Sequence, residues 1–83
     1  MHVTVKFFAS YREVVGSKAA QFRLAEGATV RELVDSVYAR HPRLREFDDT
    51  MILAVNQAVA RPDVVLQDGD EIALLPPVSG GLR

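Results

Sequence analysis

Five apolar residues in the middle of the chain, Val30, Leu33, Val34, Val37 and Tyr38, recur at i, i+3, i+4, i+7 and i+8. That spacing draws one stripe along a 3.6-residue helix and does not suit a strand. Thr29 and Glu32 stand three residues apart just before it, the capping-box spacing that starts a helix. Pro42 stops it near Arg40 or His41. Arg31, Glu32, Asp35 and Arg40 fall off the stripe. A helix that is apolar on one side needs one sheet face to cover. With 83 residues there is room for one domain and a small core.

The rest of the chain supplies strands. Val3, Val5 and Phe7 alternate with His2, Thr4 and Lys6, a strand with one buried face over residues 2–9. Ser10-Tyr11-Arg12-Glu13 has a capping-box shape and Gly16 can close a short helical turn. Residues 18–25 alternate again, Ala20, Phe22 and Leu24 against Gln21 and Arg23, and the short connection predicts an antiparallel hairpin. Met51-Ile52-Leu53-Ala54-Val55 reads as a strand buried on both faces. Asn56-Gln57 turns into a short strand at 58–60. Asp68-Gly69-Asp70 is a turn before a last strand, Glu71–Leu75, and Pro76-Pro77 stops pairing. The order is strand, strand, helix, strand, short strand, strand. If the first and last strands pair in the middle of the sheet they run parallel. The expected fold is α+β, a ubiquitin-like β-grasp: a mixed sheet with one main helix on one face, a domain over 1–77 and a tail over 78–83 expected to be flexible.

Composition removes several function classes. Ten basic against eleven acidic side chains give a net charge of −1, which argues against a strongly basic nucleic-acid binder or a polybasic membrane binder. The absence of cysteine removes disulfides, thiolate metal sites and a cysteine nucleophile. The start, Met1–Lys6, has no basic segment followed by an apolar run, and no stretch approaches the ~20 apolar residues of a membrane span, so a cytoplasmic location is expected. His2 and His41 read as a solvated and a dipole-facing histidine. Asp68, Asp70 and Glu71 lack the spacing of a calcium loop and read as turn acids. Gly16, Gly27 and Gly69 are isolated and form no phosphate cradle. Arg40, Arg43 and Arg45 read as a solvated patch, with an acidic protein partner as the functional alternative.

Two features survive this subtraction. Phe8 and Leu75 are out of phase with the buried sides of their strands, and Val59 sits on the short strand. Three apolar residues on one outer sheet face form a patch for a partner, unless the fold buries them with its own loops. The second feature is Gly80-Gly81, after two stiffening prolines. Without side chains, such a pair can thread a narrow channel in another protein; the alternative is an ordinary frayed end.

Phe7-Phe8-Ala9, Arg12-Glu13-Val14-Val15-Gly16, Ala54-Val55-Asn56-Gln57, Asp68-Gly69-Asp70-Glu71 and Pro76-Pro77-Val78-Ser79-Gly80-Gly81 run in order along nearly the whole chain. Together they resemble the small-subunit family of molybdopterin synthase, the MoaD/ThiS branch of ubiquitin-like sulfur carriers. The resemblance implies a non-catalytic sulfur-donor subunit with no bound cofactor. An E1-like adenylyltransferase consumes ATP to activate the carboxylate of Gly81, which Gly80 precedes, and sulfur transfer makes a thiocarboxylate. The tail then enters the large synthase subunit and delivers sulfur to precursor Z during molybdenum cofactor synthesis. The resemblance also implies partner contacts at Phe8, Val59, Leu75, Pro76, Pro77 and Val78. It further implies a sulfurtransferase and an assembly of two small and two large subunits; a tail-trimming protease enters only as one explanation of the departure described next.

This sequence departs from the family pattern in one respect: Leu82 and Arg83 follow Gly81. Gly81 therefore needs those two residues removed before it can be adenylated. Trimming, an artefact at the end of the sequence and loss of carrier function are the three explanations. Another class of function also fits the residues: a ubiquitin-like interaction module, or a modifier attached to lysines. Within the carrier class, tRNA thiolation and cysteine or thiamine synthesis are further destinations for the sulfur.

Overall fold

The computed structural model describes residues 1–77; Val78, Gly80, Gly81 and the rest of the expected tail lie outside the described residues. Eight segments follow in order: β1 (His2–Phe7), α1 (Ala9–Val15), β2 (Ala19–Arg23), α2 (Val30–Arg40), a 3₁₀ helix (Pro42–Phe47), β3 (Ile52–Val55), β4 (Ala58–Val59) and β5 (Glu71–Leu75). One mixed sheet has the order β2-β1-β5-β3-β4. β1 and β5 are neighbours near its centre and run parallel, Val5 opposite Ile72 and Phe7 opposite Leu74. The other three pairings are antiparallel. This is the β-grasp arrangement, with α2 laid across one face.

The expected stripe is the core of that packing. Val30, Leu33, Val34, Val37 and Tyr38 are all buried, and they meet Val3, Val5 and Phe7 of β1, Phe22 of β2, and Ile72 and Leu74 of β5. The capping box closes in both directions: Thr29 accepts from the Glu32 amide, and the Glu32 carboxylate accepts from the Thr29 amide at 2.8 Å. His41 takes the C-cap position, its ring edge-on to Phe7 at 6.0 Å.

Two local expectations are corrected, and two segments with no expected structure take shape. The segment after β1 is a two-turn helix rather than a single turn, and it begins at Ala9 with Phe8 at the N-cap and no side-chain cap. The Ser10–Glu13 box is not used, because entering the helix one residue earlier places Tyr11 in the core, its ring 5.4 Å from Phe47. That early entry puts Ala9 at φ 50°, in the left-handed region. Pro42–Phe47, where the sequence shows only a helix stop and two patch arginines, winds into the 3₁₀ helix and buries Leu44. The 61–67 loop is tied down by a Thr29–Val65 bridge and buries Leu66. Finally, β3 is not buried on both faces: Ala54 is buried, but Ile52, Leu53 and Val55 are only half-buried. By register Leu53 and Val55 share the helix-facing side with Leu74 and Ile72, while Ile52 and Ala54 share the opposite side with Leu75 and Ala73. No helix of the described residues is long and apolar enough to cross a membrane.

Candidate functional site

The outer sheet face, opposite α2, divides into two halves. Residues opposite one another in a ladder share a face, so the register fixes which side chains lie together. On the β2–β1 side the rows are polar: Gln21 donates to Thr4 at 2.9 Å, and Lys6 pairs with Glu71 at 3.0 Å across to β5. On the β5–β3–β4 side they are apolar. Ala73 stands opposite Ala54, which stands opposite Val59; Leu75 stands opposite Ile52. The Phe8 amide donates to the Leu74 carbonyl at 3.3 Å, and Phe8 keeps an extended backbone (φ −118°, ψ 151°). The β1–β5 ladder thus runs one residue further and sets Phe8 beside Leu75. Phe8 is 39% exposed and Val59 81%. By register the out-of-phase Phe8 and Leu75 therefore share one face with Val59, which stands at its rim and also lines the cavity beside α2. Pro76 is half-buried and Pro77 exposed at the end of β5. The segment that carries Gly80 and Gly81 follows directly on the strand that carries Leu75.

Phe8 is also misplaced by local preference. An N-cap normally holds a residue whose side chain accepts from the first helical amides, and an apolar residue there forgoes about 1 kcal/mol.

The polar residues considered above have ordinary structural duties. Asp68 accepts from the His2 amide at 2.7 Å. Asp70 accepts from Gln67 and Asn56, fixing the turn into β5. His2 is exposed and accepts from Arg23 at 3.3 Å. Arg40 stacks on Phe22 at 3.9 Å and donates to the outward carbonyl of Gln21 on the free edge of β2. Arg45 lies over the Tyr38 ring at 5.2 Å. No group of three or more metal-ligating side chains occurs among the described residues.

A network that the sequence reading missed joins α2 to the segment before β3. Tyr38 donates to Asp48 at 2.6 Å, and Arg31 spans Asp35 at 2.8 Å and Asp48 at 3.2 Å. Tyr38 and Arg31 together hold the Asp48 carboxyl below its ordinary range, the Tyr38 hydrogen bond contributing most. Burial, then the bond to Asp48, pushes the Tyr38 hydroxyl well above its ordinary value. These groups border an open cavity of about 300 Å³ with Met51 and Ile52. All three polar groups are spent on one another, so the network reads as a brace for the connection into β3. Only long-range pairing brings Asp48 to Tyr38, and no local sequence pattern announces it.

The fold, a five-stranded mixed sheet with α2 on one face and an outer face that is half apolar, defines a ubiquitin-like β-grasp domain. The chain belongs to the ThiS family, whose model matches residues 5–81. It is 41% identical to the molybdopterin synthase sulfur carrier subunit of Chlamydomonas reinhardtii over 98% of this chain and all of that one. Among solved structures it resembles small archaeal modifier protein 1 of Haloferax volcanii (35% identity, TM-score 0.88, 98% of this chain and 100% of that one). It also resembles a chain in the complex of subunits 1 and 2 of the Helicobacter pylori molybdopterin-converting factor (28% identity, TM-score 0.71, 98% and 100% covered).

Proposed function

We propose that this chain is the sulfur-carrier small subunit of molybdopterin synthase, with Gly81 as its working end. The observation that carries the reading is the apolar half-face at Phe8, Leu75 and Val59, because it borders the strand from which the Gly80-Gly81 segment continues. A partner that covers this face receives the chain end in a fixed direction. The Helicobacter pylori complex supports a large-subunit partner of that kind.

The chemistry has a definite order. Leu82 and Arg83 are removed, exposing the Gly81 carboxylate. A carboxylate oxygen of Gly81 attacks the α-phosphorus of ATP on an E1-like enzyme, and pyrophosphate leaves. Adenylation has converted a poor leaving group into a good one, so the terminal sulfur of a persulfide donor attacks the acyl carbon and expels AMP, leaving an acyl disulfide. Cleavage of the donor's own bond to that sulfur, with the electrons supplied by a sulfurtransferase system, leaves the thiocarboxylate. In the large subunit the sulfur passes to precursor Z and the Gly81 carboxylate is regenerated. The small subunit supplies the sulfur and the partner supplies the side chains. ATP belongs to the activating enzyme, and the assembly contains two small and two large subunits in the cytoplasm.

The likeness to a small archaeal modifier protein favours one second reading: an isopeptide bond from Gly81 to a lysine amine instead of sulfur delivery. Intact-mass measurement of the protein from its own cells separates the two. The carrier reading expects a species ending at Gly81 with one oxygen replaced by sulfur. Isopeptide adducts without that species move the assignment to the modifier. A sole species retaining Leu82 and Arg83, with neither change, overturns both.

A further inference from the structure

A second cavity, of about 360 Å³, opens beside the apolar face and is lined by Lys6, Phe7, Phe8, Arg12, Lys18 and Ala19. Half of that lining is cationic and no carboxylate belongs to it. Lys6 is held by Glu71 at 3.0 Å, whereas Arg12 and Lys18 enter none of the ion pairs among the described residues. Both are exposed. Lys6 and Lys18 are the chain's only lysines, and the chain as a whole carries −1, so the positive charge here is a local concentration.

Phe8 belongs both to this cavity and to the apolar face, so a protein that covers Phe8 passes over Arg12 and Lys18. Covering unpaired cations with apolar surface strips their water without return and opposes binding. Carboxylates in the covering segment would answer them, and a guanidinium accepts a carboxylate in two parallel hydrogen bonds. We propose that the pocket receives an acidic segment of the same partner that covers Phe8 and Leu75, its carboxylates lying between Arg12 and Lys18. This rests on the large-subunit reading above. The pocket then sets the encounter rate and the orientation of the partner, while the apolar face sets how long it stays.

The test is a binding titration of the full chain against the large synthase subunit of the same genome, at about 50 mM and about 500 mM NaCl, where screening lengths differ several-fold. For Arg12→Glu with Lys18→Glu we expect binding about tenfold weaker at low salt, with the gap falling below about twofold at high salt. Arg12→Gln with Lys18→Gln should give about a threefold loss with the same convergence, and it guards against a folding defect in the reversal variant. Unchanged low-salt binding by both variants overturns the proposal, as does a loss that is equal at both salts. Failure of the wild type to bind at either salt overturns this proposal and the large-subunit reading together. Binding by the wild type that ignores the charge changes overturns this one alone.

Discussion

Asp48 shows how one side chain can tie two elements together and leave a signature in pH. Its carboxylate takes the Tyr38 hydroxyl at 2.6 Å and the Arg31 guanidinium at 3.2 Å, and both favour the charged form. A carboxyl held below its unfolded value stabilises the fold above that value, about pH 4, and loses the contribution as pH falls through the folded one. Asp48→Asn keeps the shape and removes the charge. Urea midpoints should show the wild type ahead at pH 7, by no more than about 1 kcal/mol because solvent screens a half-exposed pair. The two proteins should converge as pH falls below about 4; a gap that widens toward acid would contradict the network. Nothing local in Asp48-Asp49-Thr50 foretells this, since the residues it joins are ten and seventeen positions away. Thr29 and Glu32 were legible for the opposite reason, as both halves of their bond lie within one turn.

β1 ends on two phenylalanines, and the two-residue period of a strand gives them opposite duties. Phe7 is buried between Leu74 and the His41 ring, while Phe8 lies out on the other face. Phe7→Ala should cost about 3–5 kcal/mol, as truncation of a packed aromatic does. Phe8→Asp should leave stability within about 0.5 kcal/mol of wild type, since an aspartate suits the N-cap that Phe8 fills poorly. The same substitution should abolish capture of the large subunit. Chemical denaturation checks the first pair of outcomes and a pull-down the last; a Phe8→Asp variant that unfolds would mean the strand phase is wrong. Strand phase could be read from the sequence because alternation is written residue by residue. The extent of α1 could not: its start at Ala9 answers to the burial of Tyr11, a long-range demand that overrode the Ser10 capping pattern. The 3₁₀ helix and the 61–67 loop escaped for a like reason, each organised around one buried leucine, Leu44 or Leu66, too sparse to make a period.

At the scale of the molecule, the proposed function assigns holding the fold and delivering sulfur to different parts of the chain. Every fully buried apolar side chain of the described residues lies between Val3 and Leu74, and every strand pairing closes by Leu75. One helix covering one sheet face was foreseeable from the single apolar stripe, whereas the parallel pairing of the first and last strands stood only as a condition until the β1–β5 register supplied it. How much of the outer face stays bare was less so, since Met51–Val55 reads as apolar throughout and only the β5 and β4 registers reveal which of its side chains are left uncovered. A chain cut after Pro77 should therefore fold with a denaturation midpoint within about 0.5 kcal/mol of the full chain, the scale of changes that touch no core contact. It should still bind the large subunit through Phe8, Leu75 and Val59, and it should accept no sulfur. Circular dichroism melts, a binding titration and intact mass after incubation with the activating enzyme and ATP read the three outcomes separately. A truncated chain that folds but no longer binds would move recognition from the sheet to the chain end, and the apolar half-face would then need another occupant.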